Sequence, residues 1–166
     1  KNTVIRTAAM DCYILPCEYM GFSTTSIASS DTFAALQTGV VEGLAGSTPA
    51  GAYLNYRDII DYYYVYQMSP EVTQIMISEK TLAKLSPEDQ KTIVDICRQE
   101  CANSVNYAKE EDEKYLKLME DNDIKIVRFS DEEIEMFAEA VRTDVWPKLA
   151  KTYGEDFINE LLKLYK

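Results

Sequence analysis

The chain has 166 residues, 46% hydrophobic and 27% charged, the make-up of one globular domain with a sizeable core. Its 17 basic and 28 acidic residues leave a net charge of −11, which repels nucleic acid and anionic membrane surfaces, and no apolar run reaches the roughly eighteen residues of a membrane span. Histidine is missing, which excludes imidazole bases, Ser-His-Asp and Cys-His arrangements and the commonest transition-metal ligand.

Lys1-Asn-Thr-Val-Ile-Arg6 carries neither an initiator Met nor a signal peptide, as expected of a processed or N-terminally truncated chain. Thr3 to Thr7 predicts a short strand. Ala9 to Met20 predicts a helix ended by Gly21, with Pro16 forcing a kink or a late start. Phe22 to Ala28, rich in β-branched residues, predicts a second strand. Ser29 or Ser30 then caps a helix with Asp31 in its first turn, Phe33, Leu36 and Val40 as its buried stripe, and Gly39 as its stop. Val40 to Ala45 gives a third strand, and this alternation predicts an α/β layer with parallel strands.

Thr48-Pro49 predicts a helix reaching about Ile60, with proline at a tolerated first-turn position. Tyr62 to Met68 and Val72 to Ser78 read as two β-rich segments, and the tyrosines at 62, 63, 64 and 66 read as a buried strand pair rather than a stacking platform. Ser86-Pro87-Glu88-Asp89 is a strong helix start. Apolar positions Ile93, Cys97, Cys101, Val105, Ala108, Tyr115 and Met119 carry that helix to about Glu120, over thirty residues and long enough to span two lobes. Ile124 to Phe129 alternates as a strand, Ser130 to Glu133 is a capping box opening a helix to about Trp146, and Thr152 to Leu164 closes the chain as an amphipathic helix.

The four cysteines, Cys12/Cys17 and Cys97/Cys101, have neither CxxC nor zinc-knuckle spacing. They read as small apolar seam residues, with a disulfide between the two pairs left open. No metal ligand set, cofactor motif or nucleophile–base pair emerges, so no catalytic residue is assigned.

Phe33-Ala-Ala-Leu-Gln-Thr-Gly-Val-Val-Glu-Gly43 closely resembles a signature of the extracytoplasmic solute-binding proteins of TRAP transporters, the DctP family. In the same register Val4-Ile5-Arg6, Gly21, Thr73 to Glu79, Leu85 to Gln90 and Asp123 to Ile126 fall on further family segments, in order and over almost the whole chain. The resemblance implies a periplasmic-binding-protein lobe of class II type, a mixed sheet flanked by helices. Residues 1–85 would be the second α/β lobe and 86–166 the long connecting helix, return strand and C-terminal helices, with the first lobe absent.

The same resemblance implies that Arg6 binds a ligand carboxylate, a role a guanidinium's two-pronged donor face suits better than lysine. Ser29 stands where relatives of sialic-acid type carry an aromatic residue. Gly46, followed by Ser47, stands where an asparagine is usual. Losing an aromatic wall and an amide makes room and removes a donor, so a sugar acid is not expected, and the expected ligand is an acid with a bulkier or more apolar body. Gln67 and Thr73 fall near positions the family turns toward the cleft.

The implied function is capture of a small organic acid outside the membrane, at a periplasmic or otherwise extracytoplasmic location, and delivery to TRAP integral membrane subunits. The chain itself would not span the membrane, and lipid anchoring through a missing N-terminal segment stays open. No enzymatic activity and no cofactor are expected. The alternatives are an extracellular sensor domain of the same fold and a small α/β enzyme using Glu42, Asp58, Asp61 and Tyr62 to Tyr64.

Overall fold

The computed structural model describes residues 3–69, 72 and 74–165. Strand β1 (Val4–Thr7) is the centre of a parallel three-stranded sheet, flanked by β2 (Ser23–Ser26) on one side and β3 (Gly43–Leu44) on the other. Arg6 lies opposite Thr25 on β2 and Leu44 on β3. The strand alternates as a pleated strand must: Ile5 and Thr7 are buried on one face, while Val4 and Arg6 are half-buried on the other.

The crossovers are helices, as parallel pairing requires. Helix α1 (Asp11–Tyr19) starts two residues later than expected, contains the buried Pro16, and gives way to Gly21 at φ 90°. Ahead of α2 (Thr32–Gln37), Ser29–Asp31 forms a 3-10 turn. No serine caps α2; Ser30 instead donates to the Asp31 carboxylate. That turn rotates the helix, so its buried side chains are Thr32 and Ala35, while Phe33 and Val40 are exposed and Leu36 is half-buried. The expected stripe is therefore out of phase with the core; Val41, just past the helix, is buried in its place.

A second parallel pair joins β4 (Tyr62–Val65) to β5 (Lys125–Arg128), with Tyr63 opposite Ile126. No antiparallel pair occurs among the described residues, so they show parallel sheets and not the mixed sheet expected. Helix α3 (Pro49–Tyr56) ends four residues short of Ile60 and packs on helix α5 (Pro87–Glu120), a single helix of 34 residues. Their contact makes the core: Ala52, Met119 and Ile124, with Tyr53, Ile60, Tyr63 and Ile126 around them. Ser86 caps α5 by accepting the Asp89 N–H at 3.1 Å.

Three expectations on this side change. Among residues 72 and 74–78 there is no strand: Val72, Ile75, Met76 and Ile77 are all exposed and make no backbone hydrogen bond among the described residues, and the short α4 (Glu79–Leu82) follows. The tyrosines do not form a buried pair. Tyr62 and Tyr64 project outward and stack in sequence with Tyr66 and Phe129, because period-two alternation sends only Tyr63 and Val65 inward. The helix opened by the Ser130–Glu133 capping box, α6 (Asp131–Asp144), stops at the buried Val145. Trp146-Pro147 then begins a separate α7 (Trp146–Tyr153), since proline is tolerated in a first turn but not inside a helix.

Gly154 at φ 95° separates α7 from α8 (Glu155–Lys163). Helices α6 and α7 return to α1: Tyr19 donates to Asp144 at 2.8 Å and Thr152 to Asp11 at 2.6 Å. All four cysteines are free. Cys17 is buried in α1, whereas Cys101 is exposed on α5 rather than in a seam. Among the described residues no helix is long and apolar enough to cross a membrane.

Candidate functional site

Three connections leave the C-terminal edge of the first sheet close together, and that is where open parallel sheets place ligands. A cleft of ≈ 190 Å³ opens there. Arg6, Ser29, Gly46 and Ser47, four of the six residues singled out in the sequence, all line it. Each comes from a different turn of chain: Arg6 from the central strand, Ser29 from the 3-10 turn after β2, and Gly46-Ser47 from the loop after β3.

The Arg6 side chain is held on one edge only. Its Nε–H donates to the Ile27 carbonyl at 2.9 Å. Among the described residues no carboxylate pairs with it, although the chain carries 28 acids. The two terminal nitrogens therefore form a fork with no protein acceptor, steered by the Nε bond. An oxyanion of planar, two-oxygen geometry matches that fork.

Gly46 is required where it stands. Its φ of +84° is one that side-chain-bearing residues rarely adopt, and a Cβ there would lie 3.0 Å from the Tyr13 ring. The missing asparagine thus does not leave a void, because an aromatic ring from α1 fills it. The rest of the lining is polar at its working positions. Thr48, Gly51 and Asn55 lie along one face of α3, and Leu44 and Tyr56 complete the wall. Thr48 Oγ1 caps α3 by accepting the Gly51 N–H at 3.1 Å, and Asn55 donates its amide to the Gly51 carbonyl at 2.8 Å. The wall thus offers hydroxyls, an amide and a guanidinium beside the Leu44 and Tyr56 side chains.

Gln67 does not line this cleft. It is exposed, two residues past β4, and adopts φ 50°, an uncommon left-handed conformation for a residue other than glycine. Thr73 lies outside the described residues. Sequence reasoning missed Thr48 and Asn55 as lining residues, reading Thr48 only as a helix start. Their positions relative to Gly51, three back and four on, are the signal that would have grouped them on one helical face.

The carboxylates and tyrosines of the enzymatic alternative do not converge. Glu42 accepts the Val4 N–H at 3.2 Å, Asp58 lies 3.8 Å from Arg57, and Tyr62 and Tyr64 stand in the exposed stack.

A parallel sheet with a polar cleft at its crossover loops, followed by a second small parallel sheet whose two strands are linked through a 34-residue helix, defines the class as a periplasmic solute-binding fold. The chain belongs to the bacterial extracellular solute-binding protein family 7, DctP, whose model matches residues 1–152. It is a family of binding proteins, not of enzymes. Solved structures agree on the fold. The TRAP periplasmic solute-binding protein from Sulfitobacter sp. NAS-14.1, with bound β-D-galacturonate, is 20% identical with a TM-score of 0.76, over 99% of this chain and 53% of that one. One from Shewanella oneidensis with bound succinate is 19% identical with a TM-score of 0.74, over 96% and 52%. One from Fusobacterium nucleatum with bound sn-glycerol-3-phosphate is 22% identical with a TM-score of 0.69, over 98% and 55%. This chain thus spans about half the length of the solved structures it matches. No curated protein matches the sequence.

Proposed function

We propose that this chain supplies one wall of the ligand cleft of a TRAP solute-binding subunit, and that Arg6 takes the acid group of a small, hydroxylated organic acid. Residues 1–85 form the second lobe and residues 86–166 the lobe-spanning helix, return strand and C-terminal helices. The subunit works outside the cytoplasmic membrane and delivers its ligand to integral membrane subunits. The observation that carries this reading is the free fork of Arg6, set among Ser29, Ser47, Thr48 and Asn55 in a strongly acidic chain. A lone unpaired cation in a polar cleft selects an anion, and neighbouring hydroxyls and amides suit a body that can donate and accept hydrogen bonds. Galacturonate, succinate and glycerol-3-phosphate, held by three proteins of this fold, are all anions.

The test is an NMR titration following the Arg6 Nε–H resonance and the amides of Gly46 and Gly51. D-galacturonate is expected to shift all three along one saturating curve, and neutral D-galactose is expected to leave them in place. Arg6→Lys should weaken galacturonate binding by about a hundredfold, because a point charge cannot reproduce the two-pronged contact. Equal responses to the acid and the neutral sugar would sink the reading.

A further inference from the structure

Behind the cleft stands Tyr63, which does not line it. It sits on β4, opposite Ile126, with its ring packed around the Ala52–Met119–Ile124 core. From there its hydroxyl reaches across to the other sheet's loop and donates to the Ser47 carbonyl at 2.9 Å. This bond fixes more than a carbonyl. In a trans peptide the C=O of one residue and the N–H of the next point in opposite directions, and no cis peptide bond occurs among the described residues. Holding the Ser47 carbonyl toward Tyr63 turns the Thr48 N–H to the opposite side, and Thr48 lines the cleft. No acceptor among the described residues meets that N–H.

We infer that Tyr63 is a positioning residue for the cleft: it orients the Ser47–Thr48 peptide so that the Thr48 N–H serves as a second donor to the anion held by Arg6. The inference rests on the proposed anion-binding role of Arg6. Two features make the peptide rigid enough for the task. Gly46, just before it, is pinned at positive φ against the Tyr13 ring. Thr48, just after it, is committed by its side chain to capping α3. Between those two points the peptide plane keeps one rotational freedom, and the Tyr63 hydroxyl removes it. Rotated by half a turn, the same peptide would present the Ser47 carbonyl to the cleft and repel an anion.

Tyr63→Phe removes the hydroxyl and keeps the ring in the core. In the unliganded variant the Thr48 amide resonance is expected to move and its hydrogen exchange to quicken, with the Arg6 Nε–H resonance unchanged. With D-galacturonate as the probe, the wild-type chain is expected to shift the Arg6 Nε–H and the Thr48 amide together. The variant is expected to bind about tenfold more weakly, the worth of one hydrogen bond to a charged group, with the Thr48 response lost. A thermal melt of the variant close to that of the wild type separates this from misfolding. If the melt falls sharply, the wild-type titration decides, since a silent Thr48 amide beside a responding Arg6 overturns the inference. So does a folded Tyr63→Phe chain that binds as tightly as the wild type. In both cases the Arg6 reading survives. An acid that moves neither resonance overturns the Arg6 reading and the inference with it.

Discussion

The cleft wall and the free arm of helix α5 use side chains in opposite ways. At the cleft, three connections converge and nearly every group is fixed: Arg6 by Ile27, Gly46 by the Tyr13 ring, Ser47 by Tyr63, Thr48 by the helix it caps. Along α5, only Leu116 and Met119 near the C-terminal end are buried, while Ile96 and Val105 are 55% and 68% exposed. The difference teaches that apolar periodicity alone does not mark a core. Of the stripe that ran from Ile93 to Met119 in the sequence, only Met119 is fully buried, Ile93 and Cys97 are half-buried, and Val105 stands in solvent.

The sharpest test of that contrast lies within one helix. Met119→Ala is expected to destabilise the chain by about 3 kcal/mol, the usual cost of truncating a fully buried side chain, whereas Val105→Ala should stay within about 0.5 kcal/mol. Chemical denaturation of the two variants side by side measures it; equal losses would break the comparison. At the cleft wall, Gly46→Ala should cost about 2 kcal/mol, from a left-handed backbone plus the collision with Tyr13. Gly39→Ala is its control. Gly39 also has positive φ, but nothing lies within 4 Å of its would-be Cβ, so it should lose only the backbone part. The gap between the two melting curves isolates the ring contact.

Behind Arg6, Thr7 is fully buried and its hydroxyl has no partner among the described residues. Thr7→Val keeps the shape and removes the stranded dipole, so it should stabilise the chain by about 1 kcal/mol. A loss of stability would reveal a buried water bonded to that oxygen. A last effect is confined to alkaline pH. Burial, with Glu18 adding to it, pushes the Cys17 thiol from 9.0 up to about 11. The native thiol keeps its proton where the unfolded one has released it, so this contribution to stability is full below pH 9 and is lost as pH climbs toward 11. Cys17→Ala should flatten the stability profile in that window alone.

What the sequence made legible was local or carried by a motif in register. The Ser86 cap, the Ser130–Glu133 box and the helix of over thirty residues follow from adjacent residues, and so does the strand that carries Arg6. The family register grouped Ser29 with Gly46-Ser47 although Gly46 lies 17 positions beyond Ser29. It did not bring Tyr13 or Tyr63, which reach the 46–48 loop from another helix and another sheet through contacts that no spacing encodes. The α2 stripe failed because three residues of 3-10 turn shift a helix's phase. The Val72–Ser78 strand failed because β propensity supplies no partner for its hydrogen bonds.

Helix α5 is also a mechanical element. From Pro87 to the anchored Leu116 it extends about 43 Å at 1.5 Å per residue. Gripped at one end, such a rod converts angle into distance. A tilt of about 10° at the Met119 contact would carry the Ser86 end, about 50 Å away, through about 9 Å of arc. Small repacking around Ala52, on the same helix that lines the cleft, is thereby magnified into a displacement as wide as a small ligand.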